Sequence, residues 1–356
     1  MQPVDNFAPR VLAWFDEHGR KNLPWQEHKT PYRVWISEIM LQQTQVTTVI
    51  PYYQKFMASF PTVEALADAE QDEVLAHWSG LGYYARARNM HKAAKMLVDE
   101  LDSEFPHSVE GVCELPGIGR STAAAILSIS RGVQAAILDG NVKRVLARFH
   151  AVPTWPGEKK TENAMWDLAE HYMPSERCGD YTQAMMDLGA TLCTRSKPQC
   201  LLCPLEEDCQ GRLTQDPTQF PIRKPKKAAK PEKSIQLLVL TNPKGQWLLE
   251  KRPSVGIWGG LWSLPELAVD ESVVLHTEQR FATQVSVVTP LSLFRHTFSH
   301  YHLDISPSQI VVSDIQLVGE GDKYQWFNPD EALAQGLPAP VRRILEQLNE
   351  LGMSVR

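Results

Sequence analysis

The stretch Leu115-Pro116-Gly117-Ile118-Gly119 limits what this chain can fold into more than any other. A Pro-Gly-x-Gly turn opens straight into Arg120-Ser121-Thr122-Ala123-Ala124-Ala125-Ile126-Leu127, a run of strong helix formers, and a short helical piece from Ser108 to Cys113 precedes it. The spacing predicts a helix–hairpin–helix over about 108–131, inside a segment that closes at Asp139. Glycine permits positive φ, so several backbone N–H groups can point outward at the positive end of the second helix. Such a nest holds an anion, a nucleic-acid phosphate being the natural one, although an ordinary helix–turn–helix connection fits the same residues.

Charge adds a local argument. The chain carries a net charge of −6, so a polyanion would be drawn only by local patches. Residues 120–150 form one, with Arg120, Arg131, Lys143, Arg144 and Arg148 against the single acid Asp139. At 356 residues the chain is long enough for two domains with real cores. No apolar run approaches the length of a membrane span, and the start MQPVDNFAPR has no signal-peptide pattern. A soluble, cytoplasmic monomer with no membrane partner is expected.

The first two hundred residues read as helices separated by proline and glycine. One begins at Thr30-Pro31, carries Val34, Ile36, Ile39, Met40 and Val46 toward a core, and is expected to stop before Pro51. Others are predicted after Pro61, over Ala85–Leu101, from Gly140, over Lys159–Tyr172 and from Gly179 to Leu192. Composition changes at Phe220. Pro221 to Pro231, rich in lysine and proline, reads as a basic linker, either a solvated tether or a track along a phosphate backbone. From Ser234 the period shifts to strands: 235–240 and 246–250 joined by a hairpin, Ser292–Thr297 with Tyr301–Ile305, then Tyr324–Phe327 and a last helix from Ala339. The expected plan is a mainly α-helical domain over 1–212, a linker over 213–233 and an α+β domain over 234–356.

Four of the six cysteines, Cys193, Cys200, Cys203 and Cys209, fall within 17 residues. In an intracellular chain that density means metal before disulfide. Zinc sites usually come as two matched Cys-x2-Cys knuckles, and here there is one. The irregular x6, x2, x5 spacing favours a cubane iron–sulfur cluster, with one thiolate at each of four irons, over zinc. Its role is open between a redox centre and a clamp on the basic Arg195-Ser196-Lys197 loop. Cys113 and Cys178 read as core residues.

Together, the glycine hairpin, an aspartate 22 residues beyond Gly117 and the four cysteines resemble the endonuclease III (helix-hairpin-helix) superfamily of base-excision DNA glycosylases. Ser37–Val46, Gly80–Arg88 and Leu138–Val145 resemble the adenine glycosylases within it. The resemblance implies one [4Fe-4S] cluster on the four cysteines and removal of adenine paired with 8-oxoguanine or guanine in double-stranded DNA. Breaking a base–sugar bond needs a proton for the departing purine and negative charge beside the developing sugar cation. Two carboxylates in different environments supply both. Glu38 lies among apolar neighbours, where burial would keep it protonated. Asp139 begins a helix, whose dipole favours the charged form. By themselves, Asp139 also reads as a helix cap and Glu38 as the outer face of an amphipathic helix, and the distance between them does not follow from sequence.

The same resemblance implies that Gln42 and Tyr83 enter the duplex beside the lesion, since a reacting base must leave the stack. It implies backbone contacts from Leu115, Gly117, Gly119, Asn141 and Lys143, and an adenine pocket at Arg20, Trp25, Gln183 and Ser121. Bifunctional members carry a lysine where this chain has Ser121, which cannot form an imine, so a monofunctional enzyme leaving an uncut abasic site is expected. The second half resembles the Nudix fold through Trp258-Gly259-Gly260-Leu261-Trp262. Around Arg280 it lacks the glutamates that would hold magnesium, so nucleotide hydrolysis is not expected. The resemblance implies recognition of 8-oxoguanine in DNA instead, with Phe298-Ser299-His300 as the reading tip, and glycosylase chemistry that requires no magnesium.

Overall fold

The computed structural model describes residues 4–214, 216–224, 229–313 and 323–353, which leaves Pro225, Lys226, Lys227 and Ala228 of the basic linker outside the described residues. The chain divides into two compact units, one of Met1–Asp68 with Asn89–Lys226 and one of Ala69–Arg88 with Lys227–Arg356. The first is helical and the second α+β, as the change of period at Ser234 predicts.

In the first unit, helix α1 (Phe7–His18) precedes α2 (Pro31–Leu41) and α3 (Val46–Ser59). The helix expected to run on toward Pro51 therefore breaks at residues 42–45, where Gln43 takes a left-handed φ of 58°. Pro51 sits inside α3, because burial of Val49, Tyr53, Phe56 and Met57 outweighs the one missing backbone donor. Helix α4 (Val63–Asp68) closes this run.

The hairpin joins α7 (Val109–Cys113) to α8 (Arg120–Arg131). Ala123 to Ser128 are all buried, so α8 is a central post, and α2, α7 and α11 (Cys178–Asp187) pack around it. Its small residues permit close approach: a Cβ on Gly179 of α11 would stand 2.9 Å from the Ser128 carbonyl. Gly132, at φ 69°, ends α8, and residues 133–138 carry the chain to Asp139, the cap of α9 (Gly140–Phe149). Helix α10 (Lys159–His171) and a π-turn at Leu188–Leu192 complete the approach to the cysteine loop. Cys178 is buried as expected, whereas Cys113, on a one-turn helix near the surface, is only half-buried.

The second unit is built on β1 (Glu232–Thr241), β2 (Trp247–Lys251), β3 (Trp262–Ser263), β4 (Glu266–Leu267), β5 (Val285–Pro290), β6 (Phe294–Thr297), β7 (His302–Val312) and β8 (Tyr324–Phe327). Strands β1 and β7 run parallel at the centre, in register from Glu232↔His302 to Thr241↔Val311. Leu237 to Leu240 are buried in succession, the pattern of a strand covered on both faces. The helix Val273–Phe281 packs on the side of Phe281, Leu238, Leu240 and Ile310. From the other part of this unit come α5 (Gln71–Trp78), the turn 79–84 and the start of α6 (Ala85–Glu100). The Gly259-Gly260 turn receives α5: Gly260 has φ 76°, and a Cβ there would meet the Gln71 side chain at 3.2 Å. Among the described residues no helix is long and apolar enough to cross a membrane.

Candidate active site

Glu38 stands on α2, whose Thr30 hydroxyl accepts the Arg33 amide and whose first helical residue is Pro31. Ile36, Ser37, Ile39 and Met40 around it are buried, and Glu38 itself keeps partial access to solvent. Burial and, after it, the charge of Asp139 push its carboxyl up to about 8. The two carboxyl groups expected to work together are thus within electrostatic reach of one another.

Asp139 caps α9: Oδ1 accepts the Asn141 amide at 3.0 Å and the Val142 amide at 2.8 Å, and Oδ2 accepts Asn141 Nδ2 at 3.2 Å. Burial raises its pKa, those donors and Arg144 lower it, and the balance is a rise. The cap bonds at the helix end lower it as expected, but desolvation outweighs them, so the net shift is upward. Ser121, at the start of α8, uses its hydroxyl to accept the Leu138 amide at 3.0 Å.

Of the residues expected around an extruded adenine, Arg20 and Gln183 meet on a group the sequence reading missed, Asp187. Its carboxylate is fully buried and accepts Arg20 N (2.8 Å), Nε (2.9 Å) and Nη2 (2.6 Å) and Gln183 Nε2 (2.9 Å). The signal was present: an aspartate one helical turn after Gln183, inside an apolar run. Trp25 is buried edge-on to Tyr53, with ring centroids 5.5 Å apart.

In the hairpin, Leu115 is buried and its carbonyl accepts the Ile118 amide at 3.2 Å. Gly117, at φ 81°, would bring a Cβ to 2.7 Å from Asn89 Cβ, so both conformation and space demand glycine. Gly119 caps α8 with open space around it. Gln42 reaches Thr122 Oγ1 at 3.5 Å, and Lys143 Nζ pairs with Glu162 at 2.5 Å.

Helix α9 connects Asp139 to the cysteine loop. Asn141 Oδ1 accepts Arg144 Nη2 (2.8 Å), and Arg144 Nε donates to the Cys193 carbonyl (2.7 Å). One turn on, the buried Arg148 donates to the carbonyls of Thr194, Arg195 and Phe220 and to Cys193 Sγ at 3.3 Å. Cys193, Cys200, Cys203 and Cys209 line one small pocket with Arg148 and Arg212. Burial, opposed by the Leu205 amide and reinforced by the other three thiols, pushes Cys203 up to about 12, and burial also raises Cys200 and Cys209. Among the described residues no three His, Cys, Asp or Glu groups are gathered for a single metal ion.

In the second unit Tyr83 is 52% exposed at a left-handed φ of 50°. Its turn is anchored by Tyr84, whose hydroxyl donates to the Leu337 carbonyl (3.1 Å), and by Arg88, which donates to the Gly259 carbonyl (2.6 Å). Asp72 pairs with Lys251 and accepts the Trp262 indole N–H at 3.2 Å. At the β6–β7 turn Ser299 and His300 are exposed, while Phe298 packs among His296, Tyr301 and Trp258, with centroids at 4.6, 4.6 and 5.4 Å.

Two family models match the chain: the HhH-GPD superfamily base excision DNA repair protein over residues 36–171, and the NUDIX domain over residues 236–347. The adenine DNA glycosylase of Buchnera aphidicola subsp. Baizongia pistaciae (strain Bp) is 40% identical over 344 residues, which are 97% of this chain and 97% of that protein. The adenine DNA glycosylase of Homo sapiens is 35% identical over 360 residues, 84% of this chain and 66% of that protein. The solved structure of a thermostable thymine-DNA glycosylase superposes with a TM-score of 0.54 at 26% identity, covering 58% of this chain and 95% of that one.

Proposed function

We propose, from the premise that this chain belongs to the adenine DNA glycosylase family, that it hydrolyses the N-glycosidic bond of adenine paired with 8-oxoguanine or guanine in double-stranded DNA. The observation that carries this reading is the Glu38–Asp139 pair, two carboxyl groups in mutual reach with different surroundings. Glu38, protonated at neutral pH, gives its proton to the departing adenine ring. Asp139, fixed by two backbone amides and Asn141, sets a carboxylate beside the cationic sugar as the bond breaks. Water completes the reaction. With a serine at position 121 and Lys143 tied to Glu162, neither position offers a lysine nucleophile, so an abasic site is left uncut.

Four groups of residues support the rest of the reading. The hairpin, with Gly117 and Gly119, and Asn141 and Lys143 on α9 suit a DNA backbone, while Gln42 and the exposed Tyr83 suit the gap left by an extruded base. Arg20, Gln183 and Trp25 form the adenine side, and Phe298, Ser299 and His300 the 8-oxoguanine side. The assignment is catalysis to 1–212, a linker to 213–233 and recognition to 234–356, with the proviso that Ala69–Arg88 packs in the second unit.

The cysteine donor set fits a [4Fe-4S] cluster: four thiols share one pocket, the other three thiols raise the pKa of Cys203, and an arginine already donates to one sulfur. Cys193, Cys200, Cys203 and Cys209 would hold it. When bound, the cluster would cross-link residues 193–209 through four iron–thiolate bonds, next to α9, whose Arg144 bonds both the Cys193 carbonyl and Asn141. A duplex with a single 8-oxoguanine:adenine pair should yield free adenine and an alkali-labile site without added magnesium; release of no base from it sinks the reading.

A further inference from the structure

Beside α9 lies an open groove whose outer residues, Trp155, Arg195, Arg223 and Lys224, the catalytic argument does not use. Its walls come from four separate stretches of the first unit: α9 from Gly140 to Arg148, the turn Trp155 to Gly157, Arg195 in the cysteine loop, and the chain from Thr218 to Lys224. Six of its lining residues are basic and none is acidic. Arg144 and Arg148 are committed to backbone carbonyls, and Lys143 to Glu162. Arg195, Arg223 and Lys224 are exposed, and among the described residues no carboxylate partner is recorded for them. Lys224 Nζ sits 4.7 Å from the centroid of the half-buried Trp155 ring, which also covers Gly157 closely enough to exclude any side chain there.

This concentration of cations needs an explanation in a chain of net charge −6. Exposed like charges with no acid in the groove lining repel one another, and a bound polyanion relieves that repulsion. Cations delivered by three stretches of chain match a ligand whose charges repeat along its length, and an aromatic face among them matches the flat parts of a nucleotide. The groove also begins at Gly140, the residue after Asp139.

We propose that this groove is a binding site for the sugar–phosphate backbone of a DNA strand running away from the lesion. Arg195, Arg223 and Lys224 pair with successive phosphates, and Trp155 packs under a sugar or base. The first residues of the linker are thereby part of the DNA-binding surface and more than a tether. This rests on the DNA reading above, and its contribution is to affinity and not to chemistry.

The test is the salt dependence of duplex binding by the full-length protein, with Arg223→Ala combined with Lys224→Ala. Each lost phosphate contact lowers the slope of log affinity against log salt by about 0.9, so the double variant should fall by about 2 between about 50 and 200 mM salt. Arg223→Lys with Lys224→Arg should keep the original slope. Trp155→Ala should weaken binding several-fold with the slope unchanged. Adenine release at saturating enzyme should be the same in all. An unchanged slope in the alanine double variant overturns the groove while leaving the glycosylase reading intact. Failure of the unsubstituted protein to bind or process the mispair overturns both.

Discussion

The hydroxyl of Ser121 accepts the backbone amide of Leu138 at 3.0 Å, one residue before Asp139. The position that carries a nucleophilic lysine in bifunctional relatives is used here as a strap, tying the start of α8 to the segment that delivers the carboxylate. Removing one such bond costs about 1 kcal/mol, or about five-fold in a rate that depends on the carboxylate's placement. Ser121→Ala should slow single-turnover adenine release by about that factor while binding of the mispair stays the same, and Ser121→Thr should restore it. Equal rates for alanine and serine would detach the strap from catalysis.

Glu38 gives a pH prediction with a definite sign. Its folded-state pKa, about 8, lies above the ordinary 4.5, so the folded protein holds a proton that the unfolded chain releases. Stability should therefore fall as pH rises from near 4.5 to near 8, and Glu38→Gln should flatten that fall in a series of chemical melts. Adenine release should decline above about 8, where Glu38 loses its proton, and Glu38→Gln should bind the mispair while losing about 100-fold or more of the rate. A pH profile that declines with a midpoint near 4.5 would contradict the assignment.

A third prediction concerns Arg144, whose guanidinium spans Asn141 Oδ1 and the carbonyls of Gly189 and Cys193. A lysine keeps the charge and loses the fork. Arg144→Lys should lower the adenine-release rate, because Asn141 and through it Asp139 lose their brace, and should speed proteolytic nicking of residues 193–209. Loss of one effect without the other would show that the carboxylate and the cysteine loop are held independently.

What could be read from the sequence divides along a physical line. Local rules reached the hairpin, the Asp139 cap, the cysteine loop and the β1–β2 turn, because each is written in adjacent residues: Gly117, the polar residue before Gly140, the x2 spacing, Asn242 to Gly245. Periodicity failed at Gln43, where a single left-handed residue splits what reads as one helix. It also passed over Asp187, whose meaning appears only when Arg20, 167 residues away, arrives beside it. The sign of the Asp139 shift needed burial, a quantity of the folded state. Nothing local in residues 69–88 tells of their place beside Leu337 and Gly259.

That last placement carries the final prediction. Tyr83 holds an exposed ring on a strained turn, and a residue at positive φ persists only where its surroundings over-determine it. Here the anchors are the Tyr84 hydroxyl on Leu337, Arg88 on Gly259, and Asp72 between Lys251 and the Trp262 indole, all in the unit that also bears Phe298, Ser299 and His300. The ring expected to enter the duplex and the hairpin expected to read 8-oxoguanine thus belong to one body. Loosening the turn should harm selection of the damaged pair more than chemistry. Arg88→Ala should narrow the ratio of adenine-release efficiencies on 8-oxoguanine:adenine over guanine:adenine, chiefly through weaker binding of the 8-oxoguanine duplex, with the maximal single-turnover rate nearly kept. Tyr84→Phe, which removes one hydrogen bond worth about 1 kcal/mol, should produce a smaller shift in the same direction. If both variants lose rate on the two substrates equally, the turn serves catalysis in general and its attachment to the second unit is only structural.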